Sequence, residues 1–407
     1  MLNWVQQFNT FSFLDNHQYQ ADYHSQECLL GAGVRYSSGT DSAPRLLQQF
    51  IDAHRGQWLF GHIGYHAPVG RDIIQSRHQD YTGFRQLSFF VPQIVLSWTN
   101  RELRITGENP QQVYEEIMAT AAAINADTQA PPVQLRQRSS REEYIHIIQK
   151  LLEHIRRGDC YEINFCQEFY APAVQVNPLA VYQRLSAVSP SPFSALYRAG
   201  DSWLVCASPE RYLKKQGSRL YSQPIKGTSQ RMPGNTQLDE AQKQWLAQSS
   251  KDRSENVMIV DLVRNDLARI CKEGTVRVDE LYGIYSFPQV HQMISTISGE
   301  LDDGISFTDI LAATFPMGSM TGAPKKKVME LIDRYEPNSR GLFSGTIGYI
   351  SPEGDFDFNV VIRSILYNAA NGYLSMPAGS GITFYSDPQQ EWEECLLKAE
   401  AMKRAVS

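Results

Sequence analysis

The chain is short of positive charge. Its 38 lysines and arginines are outnumbered by 44 aspartates and glutamates, for a net charge of −6, and no basic stripe marks a nucleic-acid binder. No apolar run approaches membrane-spanning length, and the first fifteen residues, MLNWVQQFNTFSFLD, lack the positive start and unbroken apolar core of a secretion signal. A cytoplasmic protein with neither membrane nor nucleic-acid partners is expected. Cysteine is sparse as well: Cys28, Cys160, Cys166, Cys206, Cys271 and Cys395 are scattered without CxxC pairs or zinc-spaced histidines, so they read as reduced thiols. There is no Walker A sequence, no dinucleotide fingerprint, no HExxH and no GxSxG. Gly158-Asp159-Cys160, the nearest approach to an amidotransferase cysteine turn, lacks a second glycine. Glutamine hydrolysis by a thiol of this chain is not expected.

What is present is an ordinary globular composition, 42% apolar and 20% charged over 407 residues, enough for one large domain or two or three modest ones. The stretch NADTQAPPVQLRQRSS, Asn125 to Ser140, breaks the composition like a linker and divides the chain into a region 1–135 and a region 136–407. Before it, QWLFGHIGY and LSFFVPQIVLSW have the aromatic and β-branched content of strands. After it, Ser140 and Glu143 form a capping-box pattern ahead of an apolar stripe, Tyr144, Ile148, Leu151, Leu152 and Ile155, that ends near Gly158. YEINFCQEF alternates as a strand with Tyr161, Ile163 and Phe165 inward. LVCASPERYL, GTIGYI and FNVVIRSILYN also fit strands. Helices are expected around Leu238 to Arg269, Pro324 to Tyr335 and Pro388 to Val406, the last two with proline at the first helical position. Strands in groups with helices between groups predict α+β, with large antiparallel β-sheets packed together and helices on the outside.

Three sets of residues are candidates for chemistry. Glu255 shares one side of a helical pattern with Ile259, Leu262 and Asp266, and Glu391 and Glu394 lie one turn apart on another helix. Two glutamates from separate helices suit Mg²⁺, which takes one or two carboxylates plus water and an anionic substrate group; solvated helix acids, Glu394 paired to Lys398, fit the spacing as well. Thr321, Gly322 and Ala323 before Pro324, and the AGSGI turn around Gly379, Ser380 and Gly381, offer backbone amides to a carboxylate or are simple tight turns. Lys325 to Lys327 read as a solvated face, whereas Arg363 in an apolar strand needs an anion. Lys226, in SQPIKGTSQR, is a surface charge, a phosphate hook or a nucleophile. At a free pKa of about 10.4, roughly one lysine in a thousand is neutral at pH 7, a deficit of about 4 kcal/mol that burial beside positive or metal charge must remove.

Taken in order, ASPERYL, QPIKGTSQR, KDRSENVMIVDLVRNDL, FPMGSMTGAPKKKVMELID, GTIGYI, VVIRS, AGSGI and the EWEE helix resemble the chorismate-utilising enzymes, among them anthranilate, aminodeoxychorismate, isochorismate and salicylate synthases. The resemblance runs from about Arg141 to the C-terminus and more weakly before it. It implies Mg²⁺ on Glu255 and Glu394, with Glu391 holding a metal-bound water. The ring carboxylate of chorismate would lie on the metal and the Gly379 to Gly381 amides, and Arg363 and Tyr349 would serve the enolpyruvyl end. Thr321 and Lys325 would line the site. PIKGT resembles the aminodeoxychorismate-forming branch, in which the lysine adds at C2 and ammonia from a glutamine amidotransferase then attacks C4. The anthranilate-forming branch looks like PIAGT. Glu162 occupies the place of the water-activating lysine of the hydroxylating members, and of the glutamine of the aminating ones. The N-terminal Leu-Leu-Glu-Ser motif of tryptophan sensing is missing, so tryptophan feedback is not expected. Gln292 stands where a histidine is usual, with His291 one residue away and facing oppositely if the strand register holds; Phe343 replaces a substrate-side tyrosine. An anthranilate-forming enzyme and a non-catalytic chorismate-binding subunit are the alternatives.

Overall fold

Ser140 starts its helix as the pattern requires. In the computed structural model, which describes residues 1–19, 26–39, 43–70, 74–99, 101–120, 133–287 and 290–407, the Ser140 hydroxyl accepts from the Glu143 N–H and the Glu143 carboxylate accepts in return from the Ser140 N–H. That reciprocal cap satisfies two otherwise orphaned donors. The helix Arg141–Arg156 then buries Tyr144, Ile148, Leu151, Leu152 and Ile155. Of the expected linker, residues 125–132 lie outside the described residues. The remainder is tied down: Arg136–Gln137 pairs with the strand Glu162–Ala171.

Among the described residues the strands form two antiparallel sheets, one of eleven strands and one of ten. The larger begins at one edge with Gly322–Ala323, Glu162–Ala171 and Tyr373–Ile382; the smaller begins with Ile225–Gln230 and Val290–Glu300. One apolar cluster packs residues of both sheets, such as Leu204, Cys206 and Leu366 against Phe60, Leu213 and Phe358, and takes in Leu47, Val260 and Leu311 from three helices. A second joins the eleven-stranded sheet to the helices Arg141–Arg156, Pro178–Val188, Lys325–Tyr335 and Pro388–Val406. The α+β expectation therefore holds.

Several local expectations change. The division at residue 135 is not a packing boundary: Thr10–Asp15 pairs with Phe193–Ala199 in one sheet, and Leu59–Ile63 pairs with Thr346–Ile350 in the other. The segment 238–269 is two helices, Thr236–Gln248 and Ser250–Leu267, with Ser249 closing the first and accepting from the Asp252 N–H to cap the second. Pro324 is the cap of its helix, one residue before the first turn, while Pro388 does open its own. The strand Glu162–Ala171 is not half polar-out. Glu162, Asn164, Gln167 and Glu168 are buried along with Ile163 and Phe165, and Tyr161 is exposed, because both faces of this strand are covered.

Arg340 locks this edge of the larger sheet. Its guanidinium donates to both Glu336 carboxylate oxygens (2.8 and 2.6 Å), the Met320 carbonyl (2.6 Å) and the Asn164 carbonyl (2.8 Å), and it lies over the Tyr65 ring. Glu336 in turn accepts from the Cys166 N–H. Replacing Arg340 by methionine strands a buried carboxylate and two carbonyls, and should cost about 3–5 kcal/mol. Urea unfolding reads this directly, and a wild-type midpoint would rule the lock out.

Candidate functional site

Two segments expected as single strands each break and pass from one sheet to the other. LVCASPERYL divides into Ser202–Ser208 in the larger sheet and Arg211–Gln216 in the smaller; FNVVIRSILYN divides into Phe356–Asn359 in the smaller and Ser364–Asn368 in the larger. Glu210 sits at the first crossing and Arg363 at the second, and the crossings are stitched by Val360 N–H to Glu210 C=O and Ala207 N–H to Arg363 C=O. Arg363 takes a left-handed φ of 52° there, a conformation unfavourable for a long side chain and held by its surroundings. Its guanidinium makes no hydrogen bond or ion pair among the described residues. Burial lowers its pKa from the usual value, with Glu394 opposing. A half-buried guanidinium without such a partner is a seat for an anion.

Lys226 reaches the same region from the smaller sheet. It is 9% exposed, and its ammonium donates to Glu162 Oε1 at 2.6 Å. Glu162 comes from the larger sheet and its second oxygen has no partner among the described residues. A Cβ on Gly381 would lie 2.6 Å from Lys226 Nζ and 2.9 Å from Glu162 Oε1, so a side chain there would push the pair out of this arrangement. Burial alone would depress the Lys226 amine, but Glu162, Glu255 and Glu210 outweigh it and hold the amine above the usual lysine range. This corrects the expectation that neighbouring positive charge lowers it: the close neighbours are carboxylates. Burial pushes the Glu210 carboxyl up to about 7, against the Ser319 hydroxyl, Lys226, the Ile225 N–H and Lys398.

The helices Ser250–Leu267 and Pro388–Val406 bring the acids in. Lys251 Nζ lies 3.8 Å from Glu255 Oε1 and 3.5 Å from Glu391 Oε1, so the two carboxylates face one ammonium. The other Glu391 oxygen accepts from the Ser380 hydroxyl. Glu394 pairs with Lys398 at 2.6 Å, which holds its carboxyl down to about 2. Burial pushes Glu255 up to about 7, with Lys226 and Lys251 opposing. No cluster of three or more His, Cys, Asp or Glu side chains among the described residues is placed to hold a metal ion. The donor types nevertheless fit Mg²⁺, since buried Glu255 Oε1 has no hydrogen-bond donor among the described residues and carboxylate oxygens from two helices are the hard ligands that ion takes. The strand Tyr373–Ile382 pairs with Glu162–Ala171 through Ile382, but with Ser364–Asn368 only through Tyr373 to Ser375. Among the described residues no strand pairs with that second edge from Met376 to Ile382, Gly379 to Gly381 included.

Other expected residues have their polar groups occupied or face different neighbours. Lys325 is occupied by Asp266 at 2.9 Å and the Thr314 carbonyl at 3.2 Å, so it is neither part of a solvated face nor a free site cation. The Thr321 hydroxyl bonds back to the Met317 carbonyl at 3.0 Å, and the Ser380 hydroxyl is used on Glu391. Tyr349 lines a cavity of about 50 Å³ between the sheets, with Asp15, Phe193 and Asn359. Gln292 and His291 do face oppositely. The His291 ring is held by Ser286 and Asp239, while Gln292 Oε1 is buried without a partner among the described residues. Phe343 is a core residue, 2% exposed. Sequence reasoning missed Glu210 and Lys251, whereas the Glu394–Lys398 pair stands as the spacing allowed. Glu210 lies in plain view within ASPERYL, a charged residue after proline inside an otherwise apolar strand pattern, which is a signal for a break.

A family model described as chorismate binding enzyme matches residues 13–404. Aminodeoxychorismate synthase component 1 of Bacillus subtilis is 38% identical over 267 residues, 66% of this chain and 56% of that protein; the chain thus matches little more than half the length of that relative. Anthranilate synthase component 1 of Thermus thermophilus is 31% identical over 359 residues, 86% of this chain and 77% of that protein. The crystal structure of anthranilate synthase component I from Streptococcus pneumoniae superposes with a TM-score of 0.79 at 25% identity, covering 97% of this chain and 92% of that one.

Substituting Gly381 by alanine should displace the Lys226 amine while leaving the sheets intact. The expected result is at least a hundredfold loss of whatever turnover Lys226 supports, roughly the effect of a misplaced reacting group, with a melting temperature near wild type. Wild-type turnover would show that the Lys226–Glu162 geometry is dispensable.

Proposed function

The chain belongs to the chorismate binding enzyme family, and from that premise we propose that it is the chorismate-aminating component of an aminodeoxychorismate synthase, replacing the C4 hydroxyl by ammonia. One observation carries the reading: a buried lysine in contact with a carboxylate of the other sheet lies against Gly381, at the end of the chain's two sheets where Arg363 makes no hydrogen bond or ion pair among the described residues.

Arg363 takes one substrate carboxylate, and the strand edge receives the other. Glu162 accepts a proton from Lys226. The freed lone pair forms the N–C2 bond as the C4–O bond breaks, and Glu210 donates its proton so that the hydroxyl departs as water. Ammonia then attacks C4 as the C2–N bond breaks, the product leaves as an ammonium, Glu162 returns its proton to Lys226, and Glu210 is reprotonated from solvent. Dividing one substitution into two in this way lowers the barrier of each. Glu255, Glu391 and Glu394 would hold Mg²⁺, whose charge, when bound, polarises and anchors a substrate carboxylate.

The ammonia comes from a partner on this reading. Burial pushes every cysteine thiol of the chain up to about 11 or 12, so none is the thiolate that glutamine hydrolysis needs. A glutamine amidotransferase component suits the name component 1 carried by the Bacillus subtilis relative. The longer match to a Thermus thermophilus anthranilate synthase supports the second reading, amination at C2 with loss of pyruvate.

With chorismate, Mg²⁺ and ammonium salt, the purified chain should yield an amine that a lyase converts to p-aminobenzoate; anthranilate fluorescence would select the second reading. Lys226→Ala should abolish the product, and with ammonia withheld the wild type should carry a chorismate-derived mass on the Lys226 peptide. Full amination by Lys226→Ala would reduce that residue to an electrostatic part of the pocket.

Glu210 adds a pH signature. Its carboxyl, at about 7, must be protonated to donate, so turnover should fall as pH rises through about 7. Glu210→Gln should lower the rate by about 10²–10⁴ and remove that limb. A limb that persists in Glu210→Gln belongs to another group.

A further inference from the structure

We propose that Lys251 is a built-in counter-cation for Glu255 and Glu391, and that a divalent cation binds between the two helices by displacing its ammonium. The inference rests on the reading of those glutamates as metal-holding residues.

Lys251 lies one helical turn before Glu255, and its ammonium is within 4 Å of carboxylate oxygens from both helices, 3.8 Å from Glu255 and 3.5 Å from Glu391. That is where a cation neutralising both acids must sit. Glu391 is 1% exposed and Glu255 8%, and two such carboxylates converging without a cation carry a heavy desolvation and repulsion cost. The ammonium meets this need incompletely, because Glu255 Oε1 still has no hydrogen-bond donor among the described residues. A divalent ion with water in its shell would satisfy it.

Lys251 is also the lysine free to leave. Its side chain is 41% exposed, so its flexible stem can carry the charge into water. Lys226 is fixed by Glu162, and Lys398 by Glu394 and the Gly379 carbonyl. Exchange has a consequence for order of binding. With Lys251 in place the site is already part-neutralised and takes a metal weakly; an arriving substrate carboxylate adds negative charge and tips the exchange toward the divalent ion.

Mn²⁺ binding to the full chain without chorismate, counted by electron paramagnetic resonance, tests this apart from turnover. Lys251→Met should bind Mn²⁺ about tenfold tighter or more, the scale of removing a unit charge a few ångströms away in a partly solvated site, and Lys251→Arg should keep the weak wild-type affinity. In EDTA, Lys251→Met should melt below wild type and recover when Mn²⁺ is added. Equal or weaker binding by Lys251→Met overturns the displacement while leaving the metal reading standing. No saturable Mn²⁺ binding in wild type, Lys251→Met or Lys251→Gln sinks the metal reading and this inference with it.

Discussion

The contact between Lys226 and Glu162 joins one strand of each sheet through a single 2.6 Å ion pair with both partners buried. Such a pair is a weak fold stabiliser. Removing two ions from water costs several kcal/mol each, and well-packed apolar residues of similar volume are commonly as stable. The surroundings are nonetheless shaped to keep it. Gly381 leaves space that any side chain would fill, and Gly227, at φ 93°, lets the lysine strand approach so closely that a Cβ there would meet Asp252 at 2.9 Å. Core packing and the Arg340 lock supply stability elsewhere, and the pair is sustained by them.

The balance of charge explains the rest of the site. Lys226, Lys251, Lys398 and Arg363 face Glu162, Glu255, Glu391 and Glu394, with burial pushing the carboxyls of Glu210 and Glu255 up toward their neutral forms. The resting cluster is thus close to neutral. A ligand with two carboxylates adds two negative charges to a site that offers one unpaired guanidinium, so its binding calls for a further cation. On the proposed reading a divalent metal would supply that charge, whichever of the two amination readings applies.

Much of this is legible in the chain, and what is hidden follows a rule. Helices announce themselves: Ser140 with Glu143 and the stripe from Tyr144 to Ile155 place Arg141–Arg156 correctly, because caps and periodicity are local. The two segments that cross between sheets are harder to read, since FNVVIRSILYN has strand propensity throughout and LVCASPERYL interrupts it only at Ser208-Pro209-Glu210, so the passage into a second sheet is not written locally. Glu210 therefore escapes notice in the sequence, and Arg363 reads as mid-strand. The resemblance assigns Tyr349 to the substrate, and its strand turns it toward the inter-sheet cavity. The sequence pattern also puts Glu162 on a polar outer face; the strand is covered on both sides, so a residue that looks solvent-directed becomes the partner of Lys226. Face assignments need tertiary context, whereas element assignments largely do not.

That partner changes what the lysine must do. A solitary buried lysine becomes nucleophilic when its pKa is driven down, and here carboxylates drive it up. The relevant equilibrium is then not ammonium against bulk water but ion pair against neutral pair, Lys–NH₃⁺ with Glu–COO⁻ against Lys–NH₂ with Glu–COOH. Water stabilises the first form far more than the second. As a ligand fills the site and expels water, the solvation that favours separated charges is lost, and the neutral pair gains ground in the lower dielectric. On the proposed amination, Lys226 would stay an ammonium until a ligand excludes water from the pair and favours the neutral form.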